Sequence, residues 1–190
     1  MSAQDSKLFV ISGPSGAGKG TLVTRVRERR SNLGLTVSAT TRAPRKGEVD
    51  GVNYFFLTRE EFDRRVANGE FVEWAEVHGN CYGTLVSEVT SKLASGASLI
   101  LEIDVQGALQ VKERFPEAVL IFIKPPSLEV LRERLVGRGT ETPETIELRM
   151  ANAADELALA DRYDDVVVND DLDRATDELP QSAEGRTIMT

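Results

Sequence analysis

Residues 13–21, Gly-Pro-Ser-Gly-Ala-Gly-Lys-Gly-Thr, place Gly13, Gly16 and Gly18 ahead of one lysine where a phosphate chain could be held. Gly13, Gly16 and Gly18 admit backbone conformations that turn successive N–H groups into one concavity, and Pro14, Ser15 and Ala17 complete the loop. A helix opening directly after it would add the partial positive charge of its first turn, and Lys19 would add a full charge at the outer phosphates. The pattern is G-x-x-x-x-G-K-[ST] with one departure, since Gly20 stands at the hydroxyl position and Thr21 follows it. A Mg²⁺ ion accompanying the phosphates would take an oxygen from Thr21, or be held by phosphates and water alone.

Four further groups of residues could do chemistry. Arg42 and Arg45 flank a proline in Ser-Ala-Thr-Thr-Arg-Ala-Pro-Arg, residues 38–45. They could fork onto phosphate oxygens, or form no more than a basic surface turn. Glu73 lies next to Trp74 in an otherwise mostly apolar stretch, with the hydroxyls of Tyr54, Tyr82 and Thr84 available to it. A partly buried carboxylate needs such donors; an exposed glutamate on an edge strand does not. Glu102 and Asp104 end an apolar run at period-two spacing, which points both to one face at the carboxyl end of a strand. P-loop enzymes place metal-managing acids there, and ordinary loop-facing carboxylates occur there too. Arg134 and Arg138 sit among glycines in a basic arm, with Arg149 on the helix that follows, an arrangement suited to a closing lid. His78 and Cys81 are too few to make a zinc site.

The elements that must position these residues are legible in outline. Residues 8–11 and 118–123 are continuous apolar runs and 98–103 is strongly apolar, as expected of strands buried on both faces of a parallel sheet, and 165–168 reads as the last strand, closed by Asn169. Helices are expected over 18–30, 105–115, from Ser127 to about 136, and from Thr142-Pro143 through Arg149. This is α/β alternation, with a short strand at 35–37. From residue 47 to 94 it is interrupted: 53–57 and 71–77 are aromatic-rich strand candidates, Thr58 to Glu61 forms a capping box, and Thr84 can cap a helix ending near Gly96. An inserted lobe is the reading.

The 190 residues suffice for one substantial core, and a single domain is expected. A net charge of −8 argues against broad nucleic-acid binding. One cysteine excludes an internal disulfide framework, and no run is apolar enough to span a membrane. The expectation is a cytoplasmic protein with no nucleic-acid, membrane or obligate protein partner. A polar, weakly ordered tail is expected over about 180–190.

Taken in order, GPSGAGKGT, SATTRAPRKGEVDGVNYFF, GEFVEWAEVHGNCYGT, LEIDVQG, GRGTET and VVVNDDLD resemble the bacterial guanylate kinase family over residues 7–179. The resemblance implies the P-loop nucleoside monophosphate kinase fold: a core parallel sheet flanked by helices (about 1–37, 96–133 and 151–179), a GMP-binding lobe at about 38–95 and a small lid at about 134–150. It implies Mg²⁺-dependent phosphoryl transfer from ATP to GMP. By position, Lys19, Arg42, Arg138 and Arg149 become the catalytic cations, and the loop from Gly13 to Thr21, with Arg134 and Asn169, binds ATP. Arg42, Arg45, Tyr54 and Tyr82 take the GMP phosphate; Ser38, Glu73 and Thr84 contact guanine, beside Glu102 and Asp104. No metal ligand is firmly assigned, with Thr21, Glu102 and Asp104 as candidates. Gly20, where many members have serine, and Cys81, where an aromatic is frequent, depart from the pattern. Two other readings stand beside this one: an adenylate or thymidylate kinase, and a non-catalytic guanylate-kinase-like module, against which the intact loop argues.

Overall fold

The computed structural model describes residues 6–30, 33–77, 79–137, 139 and 142–184. Its frame is a five-stranded parallel sheet in the order β2-β7-β1-β8-β9, formed by Leu33–Leu35 (β2), Ser98–Glu102 (β7), Leu8–Ser12 (β1), Val119–Lys124 (β8) and Asp165–Val168 (β9). The apolar runs work as expected, because alternate residues feed two cores. Leu8, Val10, Leu99, Leu101, Leu120 and Phe122 face one cluster, while Phe9, Ile11, Ile100, Ile121 and Ile123 face the other. On the first face lie Val86–Ala94 (α3) and Val105–Arg114 (α4); on the second lie Lys19–Arg29 (α1) and Leu172–Glu184 (α7).

A second sheet, β4-β3-β6-β5, comprises Phe55–Phe56, Ala39–Thr40, Asn80–Leu85 and Phe71–Val77. With Arg59–Ala67 (α2) it encloses an apolar centre of its own, built from Ala39, Phe62, Phe71, Cys81 and Leu85. Thr58 caps α2 by accepting from the Glu61 amide at 3.1 Å; the Glu61 carboxylate engages Arg64 and Arg65. A fourth centre, Leu131, Leu135, Ile146 and Ala153, joins Leu128–Gly137 (α5) to Pro143–Leu157 (α6).

Four local expectations are corrected. The first edge strand is Leu33–Leu35 and not 35–37, because the Val37 amide donates to Glu88 Oε1 at 2.9 Å and leaves the ladder. Residues 80–85 form a strand, so Thr84 caps no helix; it pairs with Glu73 across the ladder, and Leu85 precedes α3 without a side-chain cap bond. Strand geometry ends at Glu102, and Asp104 is instead the N-cap of α4. Residues 181–184 continue α7, and the remainder of the expected tail, 185–190, lies outside the described residues. Among the described residues no helix is long and apolar enough to cross a membrane.

Candidate active site

The loop after β1 leaves the centre of the sheet at its carboxyl edge, where ligands of open α/β sheets gather. Gly13 has φ 142° and lies so close to β8 that a Cβ would collide with the Ile123 carbonyl oxygen. Gly18, φ 91°, is the N-cap of α1 and leaves no room for a Cβ beside the Asn169 amide. These two positions require glycine for both conformation and space. Lys19 bends back over the loop and donates to Gly13 O at 2.6 Å and Pro14 O at 3.2 Å. Arg149, from α6, donates to Ser15 Oγ, so a cation from the expected lid touches the loop directly.

The back of the loop is braced. Asn169, which ends β9 and is buried, donates from Nδ2 to Ala17 O at 2.7 Å. Arg134, from α5, donates to Asn169 O at 2.8 Å and to Ala17 O at 3.4 Å. Both residues therefore grip the phosphate loop from outside. Glu102, paired with Ile11 across β7 and β1, places its carboxylate beside Gly20, with 3.6 Å between its Oε1 and the point a Cβ would take. It keeps contact with solvent, yet the surrounding protein desolvates it enough to raise its pKa, while Lys19 opposes the rise. Thr21 is exposed on the first turn of α1.

Across the same edge the second sheet gathers a polar cluster. Arg42 lies over the Tyr54 ring, 5.3 Å from its centroid, and near the Phe56 ring at 5.8 Å. Tyr54 and Tyr82 meet edge to face at 6.3 Å. Arg42, Arg45 and Tyr82 line one concavity together with Val77 and Asn80. Glu48 forks onto Arg42 through both oxygens and also accepts from the Arg45 amide at 2.6 Å. These contacts hold the Glu48 carboxyl below the usual range, the Arg42 hydrogen bond being the largest cause.

Glu73 is paired with Thr84 on the strands β5 and β6. Burial pushes its pKa up, the Thr84 hydroxyl pulls it down, Asp104 pushes it up further, and the Thr84 amide lowers it. Thr84 Oγ1 is itself buried without a hydrogen bond of ordinary geometry, a donor held in reserve beside an acid. Asp104 accepts from the Gly107 amide at 2.7 Å. Ser38, whose carbonyl accepts from Phe55 N at 2.9 Å, opens the lobe next to β3.

The structure thus brings the predicted residues to one edge in two groups: Gly13 to Thr21, Glu102, Arg134, Arg149 and Asn169 at the loop, and Ser38, Arg42, Arg45, Tyr54, Glu73, Tyr82, Thr84 and Asp104 at the lobe. Arg138 and His78 lie outside the described residues. Sequence reasoning gave no role to Glu48, six positions after Arg42, or to Gly107 in the first turn of α4. Glu48 could have been read as the counter-charge of a two-arginine turn, and Gly107 as an anomaly in an otherwise regular helix.

A glycine-rich P-loop pattern at the centre of a parallel sheet, beside a second sheet with a concavity lined by Arg42 and Arg45, is the architecture of a P-loop nucleoside monophosphate kinase. The guanylate kinase family profile matches residues 5–184. The guanylate kinase of Gloeobacter violaceus is 58% identical over 172 residues, 90% of this chain and 84% of that protein. That of Halalkalibacterium halodurans is 53% identical over 179 residues, covering 94% and 88%. The crystal structure of guanylate kinase from Anaplasma phagocytophilum superposes with a TM-score of 0.73 at 36% identity, over 97% of this chain and 88% of that one. The chain belongs to the guanylate kinase family.

Proposed function

We propose a division of labour among these residues for the reaction of the family, in which ATP and GMP give ADP and GDP. The chain is an ATP:GMP phosphotransferase. The bond from the β,γ-bridging oxygen to the γ-phosphorus breaks as a GMP phosphate oxygen attacks, so the enzyme needs alignment and charge neutralisation and no protein nucleophile. The loop from Gly13 to Thr21 holds the donor phosphates through its amides, and Lys19 swings from its loop carbonyls to the outer phosphates. Asn169 and Arg134 act on ATP through the loop they brace. Arg149, and by position Arg138, neutralise charge on the group in transit. Arg42, Arg45, Tyr54 and Tyr82 hold the GMP phosphate; Ser38, Glu73, Thr84 and Asp104 hold guanine.

Mg²⁺ is the expected cofactor and would screen the phosphate charges. Among the described residues no group of three or more His, Cys, Asp or Glu side chains is placed to hold a metal. The donors on offer, the Thr21 hydroxyl and the Glu102 carboxylate beside Gly20, fit a hard cation that takes most of its ligands from phosphate and water. The second sheet with α2 serves as the GMP lobe, and the α5–α6 junction as the lid, within one domain.

The observation that carries this reading is the meeting of Glu73, Thr84 and Asp104 where the lobe reaches the end of β7, the strand directly beside β1, which bears the loop. Guanine presents N1–H and a 2-amino group as adjacent donors to such acids; adenine presents a lone pair at N1 and no 2-amino group. The test is a coupled assay of ADP release with GMP, AMP and dTMP as acceptors. Strong preference for GMP is expected, and comparable turnover of AMP would overturn the base-pocket assignment.

A further inference from the structure

Gly107 sits in the first turn of α4, buried, with Asp104 Oδ1 bonded to its amide. Its backbone does not call for glycine: unlike Gly13, Gly16 and Gly18, it has no positive φ. Nor does the packing forbid a side chain. A Cβ there would stand 3.4 Å from Asp104 Oδ1, 3.4 Å from Glu73 Oε2 and 3.3 Å from Ile103 Cδ1, contacts that a methyl group meets if the end of the Ile103 side chain yields by a few tenths of an ångström. Glycine in a helix is disfavoured relative to alanine, so the fold alone would be better served by alanine. What glycine leaves, and alanine would fill, is the space between two carboxylates from different parts of the chain.

We propose that Gly107 is a specificity-determining residue, whose bare Cα keeps open the slot between Glu73 and Asp104 that receives the 2-amino group of the acceptor purine. The inference rests on the assignment of Glu73 to the base pocket and extends it. An exocyclic amino group needs acceptors on more than one side, and the two acids flanking Gly107 supply them from a strand and a helix start. A methyl group on Gly107 would touch both acids at van der Waals distance and crowd an amino group lodged between them, while a 6-oxopurine with only hydrogen at C2 would make less demand on the slot.

The test compares Gly107→Ala with the unchanged enzyme, using GMP and inosine monophosphate, which differ only in the 2-amino group, with dissociation constants measured by calorimetry and thermal melts run alongside. The expected result is GMP binding weakened by about tenfold or more, inosine monophosphate binding changed by less than about threefold, and a melting temperature unchanged or raised. Equal weakening of both ligands, unchanged GMP binding, or loss of the native melt would each overturn the proposal. Glu73→Gln in the same titrations, extended to AMP, separates the two levels. If it leaves the GMP-to-AMP preference intact, the base-pocket reading itself fails. If it abolishes that preference while Gly107→Ala leaves the GMP-to-inosine monophosphate ratio alone, only the role of Gly107 fails.

Discussion

Glu48 grips Arg42 at two points, Nη1 donating to Oε2 at 3.0 Å and Nη2 to Oε1 at 2.9 Å, with both side chains largely shielded from solvent. The same carboxylate takes the Arg45 amide, so one acid fixes the fork of the first arginine and the backbone of the second. Glu48→Gln keeps the shape but loses the charge and one acceptor. The GMP KM is expected to rise by about threefold to about a hundredfold with little change in kcat, because misplacing a positioning cation weakens the ground state and transition state alike. An unchanged or lower KM would show that Glu48 competes with GMP and does not orient its site.

Lys19→Met removes the charge and two hydrogen bonds to loop carbonyls. Turnover should fall by about 10²-fold or more, since the amine acts on phosphate charge developing in the transition state. GMP binding, measured by calorimetry, should stay near its original value. Turnover close to the unmodified enzyme would remove Lys19 from the reaction.

Asn169→Ala leaves the Ala17 carbonyl with Arg134 alone, at 3.4 Å. A buried acceptor losing its partner costs about 1–3 kcal/mol, so the melting temperature should drop. The ATP KM should rise while the GMP KM holds, because the loop behind the donor phosphates loosens and the lobe is untouched. A GMP effect of equal size would argue that Asn169 serves the fold as a whole.

The pH dependence of Glu73 follows from its raised pKa. Burial is the main cause, and the folded protein holds this proton more tightly than the unfolded chain, whose ordinary value is 4.5. Its contribution to stability is therefore present at low pH and lost as pH rises through the window above that value. Binding guanine needs the ionised carboxylate, so kcat/KM for GMP should fall as pH is lowered through the same window. Glu73→Gln should abolish that acidic limb and lower kcat/KM for GMP by about 10²-fold or more, with a melting temperature at neutral pH equal to or above that of the unmodified enzyme. A variant that is both less active and less stable would assign Glu73 to folding.

Much of this arrangement was legible in the chain. Residues 8–11 announced a strand buried on both faces because nothing in them is polar, and Thr142-Pro143 announced a helix start because the hydroxyl and the fixed φ both belong there. The strand Asn80–Leu85 was hidden because Gly83 and a polar start dilute its pattern, and it is specified by pairing with β5 instead. The edge strand was misplaced by two residues because Glu88, fifty-one positions away, takes the Val37 amide. At the site, individual cations and acids could be read, but not which acid meets which cation. The Glu48 fork and the braces on Ala17 depend on long-range placement that no local spacing encodes.

The four separate apolar centres have a mechanical consequence. Most of the lobe's buried side chains pack among themselves, as do those joining α5 to α6, while the central sheet packs against its own flanking helices in two clusters. Val72 is the main side chain of the second sheet that enters the central core, and Arg114, donating to Phe71 O at 2.9 Å and to Gly69 O, fastens the strand beside it. That neighbourhood is where a lobe closing over bound nucleotides would pivot. Rotation of the second sheet about it would exchange a few hydrogen bonds and keep the greasy interiors sealed, so such a stroke would carry little hydrophobic penalty. Amide exchange should accordingly reveal the lobe opening as one cooperative block, at lower free energy than the central strands.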